Sequence, residues 1–447
     1  MARISTKHIN QDYIFMPFDQ PNSTPQKIAV IGGGISGMGS AYKLIERKQV
    51  TLFEAEPQLG GHARTRMAGK RGDQPVDTGF IVFNYANYPH MAELFAELNV
   101  PVVKSNMSFG ASIGGGRLEY GLASLDALFA QRMNAVNPKF LGMVRDILRF
   151  NKNALEVAKD RTITVSQFLE KLGTGAWFRD YYLLPLSGAI WSTPTQKIMD
   201  FPAHAMIQFF ENHALLNTTG QHQWYTVDGG SVEYVRRLEA ALLSRGVDIR
   251  VNSPVQSVRR DGGGVQVKAV GGEWEAFDQV IFGTHSDDTL ALLADPTDEE
   301  QAALGAIKYQ PNEVTLHADE SIMPKRRQTW SSWVYTEDEK GTGDQIDLTY
   351  WMNSLQPIPM DDPHFVTLNT KRTIREELIY DQVTLRHPVY DLAALAAQEK
   401  VRAMNGANST WFTGAWLRHG FHEDGLESAV TVADAIMKKC TECERIS

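Results

Sequence analysis

The sequence predicts an α/β fold: a Rossmann-like dinucleotide-binding domain joined to a second domain built on a mixed sheet, with a helical insert. Three observations predict it. A βαβ unit opens on a glycine loop, Gly32 to Gly37. A stretch of helical periodicity runs from Ser124 to Thr219. Strand patterns return from Val247 onward, with the turn Asp261-Gly262-Gly263-Gly264 between two alternating runs.

The bulk numbers set limits. The 447 residues suffice for two or three domains and a large core. Acidic residues outnumber basic ones, 53 to 44, for a net charge of −9. Basic residues cluster only in short groups such as Lys325-Arg326-Arg327, so no nucleic-acid partner is expected. The two cysteines, Cys440 and Cys443, make neither a disulfide framework nor a four-ligand zinc site. A reducing, cytoplasmic location is expected. The first 26 residues lack the apolar stretch of a secretory signal, and no run of about eighteen apolar residues exists to span a bilayer. A peripheral place at the inner face of the membrane stays compatible.

Lys27 to Ile31 reads as a strand, Ile35 to Arg47 as a helix and Val50 to Glu54 as the next strand. Gly32, Gly34 and Gly37 form G-x-G-x-x-G between the first two. The first glycine permits the tight turn, the second admits a pyrophosphate to the backbone, and the third lets helix and strand pack closely. Ile35 and Ser36 open the helix, whose N-terminal N–H groups face the phosphates. Glu54, followed by Ala55, is placed to accept ribose hydroxyls. The next stretch, "EPQLGGHARTR", carries a second glycine pair, Gly60-Gly61, and the basic residues His62, Arg64 and Arg66. A nicotinamide domain has no need of that pair, whereas a long FAD lying across the domain does.

Gly60-Gly61-His62-Ala63-Arg64-Thr65 resembles the G-G-R-x-x-[ST] pattern of the flavin amine oxidase and phytoene desaturase superfamily. The resemblance implies a GR2-type FAD-binding domain with non-covalent FAD, since no cysteine lies near the C-terminal motif. His62 stands where the family has Arg, with Arg64 as the other candidate for the phosphate contact. "VDTGF" resembles the segment that passes the flavin ring, which places Asp77, Thr78, Gly79 and Phe80 there. Val255 matches the strand residue whose backbone meets the adenine. "WFTGAWLRHGFHEDGLESA" resembles the last FAD motif and brings Gly414, Glu423, Asp424, Gly425 and Leu426 to the cofactor. The implied division is an extension (1–26), a discontinuous FAD domain (27–95, 220–300 and 405–440), a substrate domain (96–123 and 301–404), the insert (124–219) and a tail (441–447).

"RHGFHEDGLESA" admits three readings: a metal site, an acid/base cluster, or a capped helix start. Asp424 and Glu427 have capping-box spacing, which starts a helix near Gly425. In the family this N-terminus points at the flavin pyrimidine. Gly420 breaks any shared face for His419, His422 and Glu423, and no fourth ligand is evident, so no metal is expected. His422 and Glu423 remain as catalytic candidates or as supports.

Amine oxidases of the superfamily hold a lysine near the flavin. The comparable stretch, "IKYQPNEVTLHAD", offers Asn312, Glu313 and Thr315 instead, with Lys308 too early. Longer strings such as "LPLSGAIWSTPTQKIMDFPAHAMIQFFENHALL" and "GFHEDGL" are similar to a bacterial branch whose members accompany cyclopropane-fatty-acid-synthase-like methyltransferases. One member is implicated in acyl desaturation on the route to furan fatty acids. Trp191, Phe201, Met206, Phe209 and Phe210 would then wall an apolar tunnel, and Trp330, Trp333, Tyr350 and Trp351 would close it. Trp191, Trp224, Trp333 and Tyr350 are the expected substrate contacts, with ordinary core packing as the alternative for each. The segment "FLGMVRDILRFNKNALEVA" places Leu141, Val144, Ile147, Leu148 and Leu155 on one face, with Arg145, Arg149 and Lys152 elsewhere. It reads as a packed amphipathic helix or as a membrane-surface helix.

The expectation is an FAD-dependent oxidoreductase that desaturates an unsaturated or methylated fatty-acyl chain by hydride transfer to flavin N5. The alternatives are a double-bond isomerase, an amine or amino-acid oxidase, and a non-enzymatic scaffold. The expected partners are a lipid or fatty-acyl substrate, a membrane surface and a fatty-acyl methyltransferase. The oligomeric state is left open.

Overall fold

The computed structural model describes residues 25–191, 198–217, 221–339 and 346–446, with side chains described up to residue 438. The expected N-terminal extension therefore lies almost wholly outside the described residues, as do the side chains of Cys440 and Cys443. In chain order the elements that position the site are β1 (Lys27–Ile31), α1 (Ile35–Leu44), β2 (Gln49–Phe53), β3 (Thr65–Ala68), β4 (Gln74–Asp77), α2 (Pro89–Glu97), β5 (Phe109–Ile113) and β6 (Leu118–Gly121). The insert contributes α3 (Pro138–Val157) and α4 (Ala203–Asn212). Next come α5 (Val232–Ser244), β7 (Asp248–Arg250), β8 (Gln279–Phe282), β9 (Lys308–His317), β10 (Trp333–Thr336), β11 (Asp347–Trp351), β12 (Phe365–Leu368) and β13 (Ile379–Val389). The chain closes with β14 (Thr410–Phe412) and α6 (His422–Ile446).

The βαβ unit forms as its pattern requires. β1, β2, β7, β8 and β14 make a five-stranded sheet in the order β7-β2-β1-β8-β14, with every pairing parallel. Its strands are buried on both faces, which explains why "IAVI" and "VTLF" read as apolar runs without alternation. The substrate side is a seven-stranded sheet, ordered β13-β9-β12-β11-β10-β5-β6. It is mixed because β10 pairs parallel with β5 while its other pairings are antiparallel.

Three local expectations change. The helix Leu392–Met404, placed with the substrate domain, packs Ala394, Ala397 and Val401 against Val280 and Phe412 of the five-stranded sheet. The last helix continues to Ile446, through residues set apart as a tail. On α3 the packed face is Phe140, Met143, Phe150 and Ala154, whereas Leu141, Leu148 and Leu155 are exposed. The apolar residues of this helix form two stripes, and the aromatic one wins the core because it buries more area.

Among the described residues, no helix is long and apolar enough to cross a membrane.

His317 ends β9 with no solvent exposure. Its Nδ1 accepts the Asp319 amide N–H (3.1 Å), so Nε2 carries the proton and donates to Thr367 Oγ1 (2.7 Å). Burial pushes the imidazole down to about 4. Between that value and its ordinary 6.5, the native state holds fewer protons than the unfolded chain. Its contribution is therefore complete above the unfolded value and is lost as pH falls toward the folded one. Taking the protein from pH 7 to pH 5 should cost roughly 2 kcal/mol through this residue. Urea midpoints at the two pH values should show that His317→Gln loses less stability on acidification than the wild type. Equal losses would refute the assignment.

Candidate active site

The site begins at the glycine loop. Gly32 turns with φ +100°, and its N–H donates to Phe53 O (2.8 Å), which locks the loop to β2. A Cβ on Gly37 would lie 1.8 Å from Gly32 O, so only glycine lets α1 start this close to β1. No side chain caps α1 at Gly34. Its first-turn N–H groups, from Ile35 onward, have no partner within the helix and can meet an anion. Glu54 Oε2 accepts Gly33 N–H (2.6 Å) and Oε1 accepts Glu56 N–H (2.9 Å). That fixes the carboxylate at the rim of the loop, beside the exposed Ala55. The turn before Val255 is tied to the same place, with Ser253 N–H on Glu54 O (2.8 Å) and Asn252 N–H on Glu56 O (2.9 Å).

The second glycine pair lies on the first. Gly60 N–H donates to Gly33 O (2.9 Å), and a Cβ on Gly61 would come within 3.1 Å of Gly34 Cα. The "VDTGF" backbone runs alongside, with Thr78 N–H on Arg64 O (2.8 Å) and Phe80 N–H on His62 O (2.9 Å). Gly79 must be glycine, because its Cβ would meet His62 O at 1.9 Å. Segments 60–65 and 78–80 are thus brought side by side.

Arg64 does not serve as the free phosphate cation considered above. Asp381 on β13 holds both its terminal nitrogens (2.5 and 3.1 Å), and Thr78 Oγ1 takes a further bond (3.0 Å). His62 faces the rings of His285 and His387 at 5.7 and 5.8 Å. Desolvation pushes it down, so it offers an N–H and no charge. Thr65 is also spent, donating to Asp77 Oδ1 (2.6 Å) and accepting Val232 N–H (3.0 Å).

At the C-terminal motif α6 begins at His422, not near Gly425. The capping register is shifted by three residues. Asp424 Oδ2 reaches back to accept Phe421 N–H (2.9 Å) and His419 N–H (3.2 Å), while Glu427 pairs with Arg418. Burial pushes Asp424 up to about 7. Glu423 is not free for acid/base work. Its two oxygens accept His90 N–H (2.8 Å) and Met91 N–H (2.9 Å), capping α2, whose own N-terminal residue Tyr88 supplies no cap. This arrangement also turns Glu423 away from any metal shared with His419. The one cluster of potential metal ligands among the described residues is His285, Asp287 and Asp288, and Arg386 binds both of its carboxylates.

α6 crosses α1 on small residues. A Cβ on Gly425 would sit 2.8 Å from Ser36 Oγ, and buried Leu426 fills the space over Gly39. Gly414 N–H is held by Ser428 Oγ (2.9 Å). Two helix N-termini therefore lie side by side, one above the glycine loop and one beside Phe80.

His422 stacks on Phe80 at 4.1 Å and pairs with Tyr234 Oη (2.5 Å). Burial keeps the Tyr234 phenol protonated, so the bond joins two neutral groups. Desolvation pushes His422 down to about 3. It is a neutral imidazole and a poor base. The catalytic pair expected from sequence thus becomes a neutral hydrogen-bonded ring and a helix cap.

Around this point the wall is aromatic. Phe421 stacks on Phe209 (5.1 Å), which meets His213 (3.9 Å) and Trp191 (5.0 Å). Trp333 and Tyr350 meet edge to face at 5.4 Å. Trp191, Trp333, Tyr350 and Phe421 pack on one apolar cluster, whereas Trp224 packs on that of the dinucleotide domain and reaches the wall through His213 (6.5 Å). Met206, Phe209 and Phe210 are buried core rather than open lining. Sequence reasoning missed Phe421, His213 and Tyr234. Phe421 was discoverable, since it directly precedes His422.

The residues fit FAD: a helix start at the glycine loop with no side-chain cap, a ribose acid at the loop rim, and the glycine-packed segments 60–65 and 78–80 laid against them. The model of the family described as flavin containing amine oxidoreductase matches residues 35–418. The chain belongs to that family. It is an FAD-dependent oxidoreductase. Carotenoid phi-ring synthase of Chlorobaculum tepidum is 41% identical over 80 residues, 17% of this chain and 12% of that protein. Coproporphyrinogen III oxidase of Mycobacterium tuberculosis is 42% identical over 81 residues, 17% of each. The chain thus aligns with less than a fifth of the length of these curated relatives. Whole-chain similarity is structural. A fatty acid isomerase from P. acnes superposes with a TM-score of 0.67 at 14% identity, over 92% of this chain and 98% of that one. A putrescine oxidase variant gives 0.68 at 15%, over 93% and 99%.

Gly37→Ala should give colourless protein, because the new Cβ must push α1 off Gly32 O. Gly142→Ala on α3, where nothing lies within 4 Å, should stay yellow and gain about 0.5–1 kcal/mol of helix propensity. Flavin absorbance after gel filtration reads both, and retention of FAD by the Gly37 variant would contradict the cradle.

Proposed function

We propose that this oxidoreductase acts on an unsaturated or methylated fatty-acyl chain, removing an allylic hydrogen as hydride to the flavin and a hydrogen of the neighbouring carbon as a proton to water, to leave a new double bond. The observation that carries this reading is the chemistry of the wall beside α6. Phe80, Phe421 and Trp191 are apolar, and His213, His419 and His422 are all pushed down toward neutrality by burial. Glu423 and Asp424 spend their oxygens on backbone N–H groups. An alkyl chain loses nothing on entering such a wall, whereas an ammonium group would be desolvated without a free carboxylate. In the stretch comparable to the one where amine oxidases of the superfamily hold a lysine, Asn312, Glu313 and Thr315 stand instead, and Asn312 is bonded to His387 Nδ1 (2.7 Å) and Asn369 (2.7 Å). Bound FAD supplies the two-electron acceptor. The chain itself orients the alkyl chain by shape, keeps His422 neutral by burial, and fixes its ring through Tyr234.

A redox-neutral double-bond isomerase is the second reading. It is favoured by the occupied state of Glu423 and the low basicity of His422. Returning the abstracted hydrogen needs no protein base, whereas desaturation must discard a proton.

The test is anaerobic mixing with phospholipids bearing monounsaturated chains and, separately, with amines. Loss of oxidised-flavin absorbance with a conjugated diene in the lipid supports desaturation. A moved double bond without net bleaching supports isomerisation, and bleaching by amines alone ends the acyl reading.

Tyr234→Phe should keep its FAD and slow lipid turnover by about ten-fold, by freeing His422 to rotate. An unchanged rate would leave His422 a packing residue only.

A further inference from the structure

The outer face of α3 is built unlike a solvent face. Leu141, Leu148 and Leu155 are 42%, 55% and 43% exposed. Seven-residue spacing lines them along one stripe roughly 20 Å long. Arg145 and Lys152, both exposed, lie on the same arc of the helix, with Arg149 beside them. Just before α3, Leu125, Met133 and Val136 are 76%, 76% and 70% exposed. Six of the fourteen large apolar side chains exposed among the described residues thus fall within residues 125–155. The charge is also local. Residues 132–152 hold five basic side chains and a single acid in a chain of net charge −9. That acid, Asp146, is buried; one oxygen accepts Gly175 N–H (2.8 Å) and the other meets exposed Arg145 at 3.4 Å.

We propose that this face docks on an anionic lipid bilayer. A helix lying in the headgroup region sinks an apolar stripe into the acyl boundary and lays flanking Lys and Arg on lipid phosphates. The leucine stripe and its arginine and lysine flank meet both demands. A second copy of the chain is the poorer occupant, because a two-fold contact through this face would bring its cations together. The opposite face of α3 explains why the stripe is exposed: Phe150 is turned inward, 5.9 Å from Phe210, and holds the helix by its other side. Phe210 adjoins Phe209, which stacks on Phe421, so the docking face lies one aromatic layer from the candidate site. The proposal rests on the surface of α3 and stands whichever substrate the site takes.

The FAD-loaded protein should co-sediment with phosphatidylcholine vesicles containing phosphatidylglycerol at least about ten-fold better than with phosphatidylcholine alone, and high salt should reverse this. Substituting Leu141, Leu148 and Leu155 by Ser, or Arg145→Glu with Lys152→Glu, should each weaken binding about ten-fold. Flavin absorbance and far-UV circular dichroism should be unchanged, since neither set is in the core. Absence of binding, or equal binding by wild type and variants, overturns the proposal. So does light scattering that shows a dimer which the leucine variant converts to monomer.

Discussion

The site exists because backbone approaches backbone more closely than any side chain allows. Gly37 sits on the carbonyl of Gly32, Gly61 on the Cα of Gly34, Gly79 on the carbonyl of His62, and Gly425 on Ser36. The first closes the glycine loop on itself, and the other three bring separate segments of the chain against one another. Together they set α1 and α6 with adjacent N-termini, and their partial positive charges are the fixed electrostatic resource of the site. A Cβ at any of the four would move a helix or a segment and undo the close packing around the glycine loop.

Charge elsewhere near the site is compensated before any ligand arrives. Asp77 is buried and pushed up to about 6, yet it accepts from Thr65, from Ser231 N–H and Oγ, and from Gln356. It therefore ties β3 and β4 to the start of α5 and to the substrate domain. That bracing positions Thr78, Gly79 and Phe80. Arg64 does similar work across the domains through Asp381. Neither is placed to exchange protons or to greet an anion. The histidines are neutral, so the helix termini are left as the site's main polarity.

This division explains what was legible in the sequence. The five-stranded sheet, the glycine loop, Glu54 and the second glycine pair could be read because each follows from local geometry, which leaves a local pattern. Side-chain pairing could not be read. Glu423 caps a helix more than three hundred residues away, and Arg64 meets Asp381 at a similar remove. Such partners leave no spacing signal. The α6 start was misplaced because D-x-x-E admits two registers: Asp424 as the cap, or Asp424 as the residue that reaches back. Packing against Ser36 selects the second. On α3 periodicity revealed an amphipathic helix but not which of its two apolar stripes faces inward. The choice depends on Phe168, Phe178 and Phe210 waiting in the insert.

The frame itself does not choose a substrate. A fatty acid isomerase and a putrescine oxidase share it equally well, so discrimination must come from the side chains set on the frame. Here most of those come from the insert. Phe209 and His213 from α4, and Trp191 before it, close against Phe421, the residue that immediately precedes α6. One stacked pair, Phe209 on Phe421, thus joins the C-terminal motif to the insert. A polar insert would leave this junction wet and the histidines free to charge. The aromatic one found here buries them enough to keep them neutral.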